Sequence, residues 1–143
     1  DNEDPLLIVN SDNVFDWNPA SFIQEASVEE IDGSILVFNG TNPKWSFAKV
    51  NSAGFVTEVA EKNPISDVAT AGAYFWKRGS DYVSCADKMI ENDIRTNNEF
   101  YVCPVYNEMV NQGGKIIVSF VDKMWGLGTP EDLQNYLKFH PKA

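Results

Sequence analysis

The sequence predicts one α/β domain in which a mixed sheet is flanked by helices. Two short apolar runs, Leu6–Val9 and residues 34–38, have the continuous hydrophobicity of strands buried on both faces of a parallel sheet. A helix start, Asn18 followed by Pro19, lies between them, which gives a strand–helix–strand unit. A chain of 143 residues suits one core and is short for two, so residues 1–143 are expected to form a single domain.

The remaining elements follow from boundary signals. Ser80 or Asp81 is predicted to cap the second helix, and Thr129 to cap the last, which is expected to pack back on the sheet. Gly54 is predicted to supply a positive φ in a hairpin turn. The first helix is predicted over 19–26, with a polar continuation that Gly33 ends. A hairpin of strands 45–50 and 55–60 and a strand over 69–76 should follow. The rest of the chain is predicted to form helices from 80 or 81 to about 92 and over 98–111, a strand over 115–121, and a helix from 130.

Composition excludes some classes of function. Twenty-one acidic against eleven basic residues give a net charge of −10, which disfavours nucleic acid and anionic lipid as partners. Cys85 and Cys103 lack CxxC spacing and are expected to be buried, reduced thiols. With no long apolar run and no signal-peptide pattern in these residues, the chain is expected to be cytoplasmic and not membrane-bound.

Two charged features follow predicted strands. Glu61 and Lys62 stand side by side at the end of the second hairpin strand, where α/β proteins bind ligands, although such a pair is more often solvated. Asp12 follows the first strand, where it would serve either an Asx turn or, as a hard oxygen donor, a magnesium ion. These residues alone leave the alternatives open.

Five motifs occur along the chain: LIVNSDN (7–13), NPKWSFA (42–48), EKNP (61–64), NEFY (98–101) and WGLGTP (125–130). Their order resembles that of sugar-phosphate nucleotidyltransferases, also called nucleotide-sugar pyrophosphorylases. The resemblance covers essentially the whole chain and implies a Rossmann-like, GT-A-like nucleotidyltransferase domain. It implies transfer of a nucleotidyl group from a nucleoside triphosphate to a sugar 1-phosphate, with release of pyrophosphate and help from Mg²⁺.

The resemblance assigns the charged residues. Asp12 corresponds to the magnesium-binding carboxylate, Glu61 to the acid that binds sugar hydroxyls, and Lys62 to the base that contacts the sugar phosphate. Glu99 matches a second sugar-binding acid, although a role at the N-terminus of its helix is an equal alternative.

Three uncharged or weakly assigned positions complete the expected sugar site. Ser46 and Lys44 lie on the segment that matches a sugar-facing loop, with Lys44 expected to be solvated. Gly72 indicates the close approach of another backbone or a ligand, and the resemblance implies that it lets the sugar approach the backbone.

The chain departs from the family pattern in two ways. The family's glycine-rich loop, which holds the triphosphate, has no counterpart in these residues, so the chain resembles the C-terminal two-thirds of a nucleotidyltransferase domain. Gly126 stands where many relatives carry a second metal-binding aspartate. We therefore expect a fragment that is inactive on its own, in which a site with two metal-binding carboxylates cannot be assumed.

Two other functions remain open. One is a GT-A-type glycosyltransferase, in which Asp12 would hold a metal on a nucleotide diphosphate. The other is a non-catalytic module that covers exposed sheet by forming a homo-oligomer. Pyrophosphate release with a sugar 1-phosphate favours the nucleotidyltransferase, and sugar transfer to an acceptor favours the glycosyltransferase.

Overall fold

Two sheets and four helices make up the part of the chain that the structure, a computed structural model, describes, residues 2–141. In chain order the elements are β1 (Leu6–Val9), β2 (Asn13–Asp16), α1 (Pro19–Ala26), β3 (Gly33–Asn39), β4 (Ser46–Val50), β5 (Val56–Glu61), β6 (Val68–Trp76), α2 (Gly79–Glu91), α3 (Val105–Asn111), β7 (Ile116–Phe120), β8 (Lys123–Gly126) and α4 (Pro130–Phe139).

The larger sheet is mixed, as predicted. Its strand order is β5-β4-β6-β3-β7, and β1 also pairs with β6, beside the short contact that β4 makes with β6. Strands β3 and β7 run parallel, whereas the other pairs of this sheet are antiparallel. A second, two-stranded sheet joins β2 to β8 and was not predicted.

Helices pack on both faces of the larger sheet, and consecutive residues at the end of its central strand β6 point to opposite faces. Tyr74 and Trp76 face α2 and α3, where Trp76 stacks on Tyr106 with ring centroids 4.2 Å apart. Phe75 faces the other way and packs on Phe22 of α1. The fold class is therefore confirmed as a mixed α/β sheet flanked by helices.

Several local predictions are confirmed. Strands β4 and β5 form the predicted antiparallel hairpin, and Gly54 in its turn has φ +87°. Asn18 accepts a hydrogen bond from the amide of Ser21 at the start of α1, and Thr129 does the same for Asp132 in α4. Cys85 and Cys103 are buried free thiols.

The predicted environments of β1 and α4 were wrong. Strand β1 is antiparallel to β6 and buried on one face only, since Leu7 and Val9 are 37% and 46% exposed. Helix α4 packs chiefly on the small sheet, where Tyr136 contacts Trp125. Gly33, expected to break α1, is instead the first residue of β3, since α1 has already ended at Ala26.

Two predicted helix starts were also wrong. Helix α2 begins at Gly79, because backbone carbonyls of Asn2 and Asp4, and not a side-chain cap, accept from its first amides. The third helix begins at Val105 and not at residue 98, because Pro104 disfavours a helical conformation in the residue before it and Asn98 has φ +64°. No helix within residues 2–141 has the length and apolarity needed to span a bilayer.

Candidate functional site

A polar groove lies where β1 and β5 end and β4 begins. It consists of two adjoining cavities of about 310 and 510 Å³. Three of the predicted site residues, Asp12, Ser46 and Glu61, line both cavities, together with Asn10 and Tyr74. Residues from three separate motifs of the sequence therefore meet at one place.

The hairpin sets the position of Glu61. The β4–β5 register places Ser46 opposite Glu61, and the Ser46 hydroxyl donates a hydrogen bond to Oε2 of Glu61. Burial raises the pKa of Glu61 above its ordinary value of 4.5, while the Ser46 hydrogen bond and the charge of Lys62 partly lower it. The result is a partly desolvated carboxylate held in a fixed orientation beside the groove.

Lys62 leaves the hairpin in an unusual backbone conformation. Its φ is +54°, in the left-handed region, while its amide donates to the carbonyl of Trp45 at 2.9 Å. The ammonium donates to the hydroxyl of Tyr101 at 2.6 Å and lies 4.7 Å from the centre of that ring. The hydrogen bond to Tyr101 is the main cause that raises the pKa of Lys62.

Glu99 reaches Lys62 through Tyr101. The Tyr101 hydroxyl donates to Oε2 of Glu99 at 2.5 Å. Glu99 itself lies in a two-residue bridge with Thr96, six residues before α3, so its alternative role at the N-terminus of that helix is wrong. Tyr101 lines the larger cavity and was not predicted as a site residue.

Asp12 lies in the turn after β1 and contacts the segment between β8 and α4. Its carbonyl accepts from the amide of Leu127 at 2.7 Å. A Cβ added to Gly128 would lie 2.8 Å from Oδ2 of Asp12, so a glycine leaves room for this carboxylate. The LIVNSDN and WGLGTP motifs are thereby brought together.

Gly72 supports the groove from beneath. It has φ +89°, and a Cβ at this position would lie 2.6 Å from Nδ2 of Asn13 and 2.7 Å from Nδ2 of Asn10. Close approach is thus found at Gly72, but side-chain amides of Asn10 and Asn13 fill the space in which the sugar was expected. This placement favours a packing role for Gly72.

Lys62 lines a third cavity, of about 520 Å³, which Glu61 also lines, and lies outside the two cavities of the groove. A different lysine lines the groove itself. Lys44, expected to be solvated, lines the smaller cavity and forms an ion pair with Asp132, with 2.9 Å between Nζ and Oδ1. Hydrogen bonds from Lys44 and Thr129 lower the pKa of Asp132. A Cβ on Gly126 would lie 3.6 Å from the Asp132 carboxylate, which was not predicted as a site residue.

The residues available to hold a metal are few. Within residues 2–141, no group of three or more His, Cys, Asp or Glu is placed to bind a metal ion. Asp12 offers a carboxylate inside the groove. Mg²⁺ commonly uses one or two carboxylates and completes its shell with waters and substrate phosphates, so this donor set fits an ion shared with a bound phosphate.

The fold and groove place the chain in the class of mixed-sheet α/β proteins, with a polar groove at strand ends. Solved structures of sugar nucleotidyltransferases share this fold. One is the nucleoside-diphosphate-sugar pyrophosphorylase from Vibrio cholerae RC9, 28% identical, with a TM-score of 0.75 over 94% of this chain. Another is a putative glucose-1-phosphate thymidylyltransferase from Bacillus anthracis, crystallised with a sucrose, 16% identical, with a TM-score of 0.75 over 99% of this chain.

These structures confirm the resemblance that the motifs indicated. The chain spans 56% of the length of each of the two similar structures. No protein-family model matches the chain, and no curated protein matches it.

Proposed function

We propose that this chain forms the sugar-phosphate side of a nucleotidyltransferase that joins a nucleoside triphosphate to a sugar 1-phosphate and releases pyrophosphate. The observation that carries the proposal is that Asp12, the Ser46–Glu61 pair and Tyr101 line one groove, and that Lys62, next to Glu61 in the chain, donates a hydrogen bond to Tyr101. The two similar structures support the general kind of function.

Each side chain has a role that matches its chemistry. Glu61 accepts hydrogen bonds from sugar hydroxyls, and Ser46 fixes the orientation of its carboxylate. Lys62 donates to the phosphate of the sugar, where a charge-assisted hydrogen bond is stronger than a neutral one. A chain with a net charge of −10 needs such a cation to bind an anionic substrate.

Asp12 is the proposed magnesium ligand. Bound Mg²⁺ would supply charge neutralisation at the phosphate oxygens. The residues of this chain would bind and orient the sugar phosphate, so that its oxygen attacks the α-phosphorus directly without a protein nucleophile. Residues 1–143 contain no glycine-rich loop with basic residues, so we expect substrate binding without turnover by this chain alone.

The test is an equilibrium titration of the chain with α-D-glucose 1-phosphate, with and without Mg²⁺, followed by calorimetry. We expect saturable binding that strengthens with Mg²⁺ and that a Glu61→Gln, Lys62→Met double variant loses. Unphosphorylated glucose is the control ligand and should bind far more weakly. Equal binding of both ligands, or binding that survives the double variant, would overturn the proposal. Pyrophosphate release with nucleoside triphosphates, measured in parallel, tests the expectation of no turnover.

Self-association is a second candidate, which one observation favours. Leu7 and Val9 of β1 present exposed apolar side chains next to each other on one face of that strand. A homo-oligomer would cover them. Light scattering at micromolar concentration should then give a mass above the 16.0 kDa of one chain, which a Leu7→Glu, Val9→Glu variant should restore to one chain. A monomeric wild-type chain would refute this candidate.

A further inference from the structure

The ammonium of Lys62 is held by a residue from outside the hairpin that carries it. Lysine has a flexible four-carbon stem, so its charge occupies one place only when another group anchors it. Here Tyr101 provides that anchor twice, through its hydroxyl at 2.6 Å and through its ring at 4.7 Å. The backbone of Lys62 has a left-handed φ of +54°, a conformation that few non-glycine residues adopt.

The hydrogen bonds from Lys62 to Glu99 have only one consistent proton arrangement. An ammonium group only donates and a carboxylate only accepts, whereas a phenol has one proton and also accepts. Tyr101 must therefore accept from Lys62 and donate to Glu99. One of the three ammonium protons is used, which leaves two to bind phosphate oxygens.

The anchor holds the ammonium without a directly opposed charge. Lys44, which lines the smaller cavity of the groove, contacts the carboxylate of Asp132 itself, which neutralises its charge. Lys62 contacts a neutral phenol, and the carboxylate of Glu99 lies one hydroxyl further away. Tyr101, Glu99 and Glu61 also raise the pKa of Lys62, with Tyr101 first, so the cationic form is favoured.

We infer that Tyr101 is a positioning residue that orients the Lys62 ammonium toward the phosphate of the substrate, and that Glu99 acts through Tyr101. This inference rests on the proposed function of the groove for the role of the phosphate. The inference gives Glu99 a different role from the expected one. Its Oε2 accepts a hydrogen bond from the Tyr101 hydroxyl, whereas a sugar hydroxyl was the expected donor.

The test compares Tyr101→Phe, which keeps the ring and removes the hydroxyl, with Glu99→Gln. Tyr82→Phe is the matched control, because Tyr82 packs on Trp76 in the core between α2 and the sheet. The first measurement is the hydrogen-exchange rate of the Lys62 ammonium by ¹⁵N NMR in the ligand-free chain. The second is the dissociation constant for inorganic phosphate and for α-D-glucose 1-phosphate.

We expect Tyr101→Phe to speed exchange of the Lys62 ammonium and to weaken binding of both ligands about fivefold to tenfold, a reduced effect for an exposed hydrogen bond to a charged group. Glu99→Gln should weaken binding less, and Tyr82→Phe should change neither measurement. Unchanged ammonium exchange in Tyr101→Phe would overturn the inference.

The binding data separate two further failures. Faster exchange with unchanged phosphate affinity in Tyr101→Phe would also overturn the positioning role, while loss of binding in Lys62→Met would leave the proposed function standing. Slow exchange in a wild-type chain that binds neither ligand would overturn both the positioning role and the proposed function.

Discussion

Lys44 in the groove and Lys62 beside it differ in whether their charge is compensated by a carboxylate. Lys44 lines the smaller cavity of the groove, whereas Lys62 lines a separate cavity, which Glu61 also lines. Each is held by one hydrogen bond, of 2.9 and 2.6 Å, respectively. The partner of Lys44 is the carboxylate of Asp132, so its charge is already compensated. The partner of Lys62 is the phenol of Tyr101, so its charge remains available to a phosphate.

Removal of the Lys62 charge and of the Lys44 charge, in separate variants, should give the largest difference in affinity for α-D-glucose 1-phosphate. Lys62→Met is expected to weaken binding of α-D-glucose 1-phosphate about tenfold or more, because it removes a charge-assisted contact. Lys44→Met should change the affinity by less than about twofold, since its charge is compensated by Asp132. Calorimetric titration measures both, and a larger effect at Lys44 would reverse the comparison.

Glu61→Gln tests how the carboxylate beside Lys62 affects stability and sugar-phosphate binding. Burial raises the pKa of Glu61 above 4.5, so the folded state binds this proton more tightly than the unfolded state. Glu61 therefore lowers stability as pH rises from below 4.5 through its raised pKa. We expect the Tm of Glu61→Gln, relative to wild type, to be higher at pH 7 than at pH 4, while sugar-phosphate binding at pH 7 falls.

The pH dependence of this difference is measured by calorimetric melting of both chains across the acidic range. Ser46→Ala is the control for the lost hydrogen bond, because it removes the Ser46 contact and leaves the carboxylate. A Tm difference independent of pH would contradict the assigned cause of the pKa shift.

Asp132→Asn should have the smallest effect on phosphate affinity. It leaves the Lys44 ammonium, like that of Lys62, without a carboxylate in direct contact. The change removes the ion pair and retains the backbone amide that bonds Thr129. We expect a loss of about 0.5 kcal/mol in the free energy of unfolding at neutral pH, since Lys44 is 44% exposed and the pair is screened by solvent. Phosphate affinity should rise about twofold, because Lys44 then carries an uncompensated charge.

Stability as a function of pH gives a further check on Asp132. Its pKa is lowered in the fold, so its contribution is present above the unfolded pKa and is lost as pH falls through the lowered value. Chemical denaturation of wild type and Asp132→Asn should therefore converge at strongly acidic pH. A gap that stays constant would contradict the assignment of the stability difference to the ionised Asp132 carboxylate.

Most elements of the fold could be predicted from signals within a few neighbouring residues, whereas elements that depend on contacts between distant parts of the chain could not. Apolar runs, Gly54 and the cap at Thr129 each act within a few residues, and the elements they predicted are present. The β2–β8 sheet pairs two four-residue strands from opposite ends of the chain, at Asn13 and Gly126, and neither strand has a pattern of its own. Its existence depends on the packed fold.

The candidate site was predictable to the same extent. The order of motifs pointed to Asp12, Ser46 and Glu61, which the fold brings to one groove. Tyr101 was missed because the sequence predicted a helix where the backbone turns through left-handed asparagines before Glu99. The Lys44–Asp132 pair, 88 residues apart, could be found only in the folded chain.

The most direct test of the central claim is a map of amide chemical-shift changes when α-D-glucose 1-phosphate and Mg²⁺ are added to the chain. The account predicts changes concentrated at Asp12, Ser46, Glu61, Lys62 and Tyr101, around the groove. Saturable changes confined to the opposite region, around Cys85 and Gln112, or no change at saturating ligand, would contradict it.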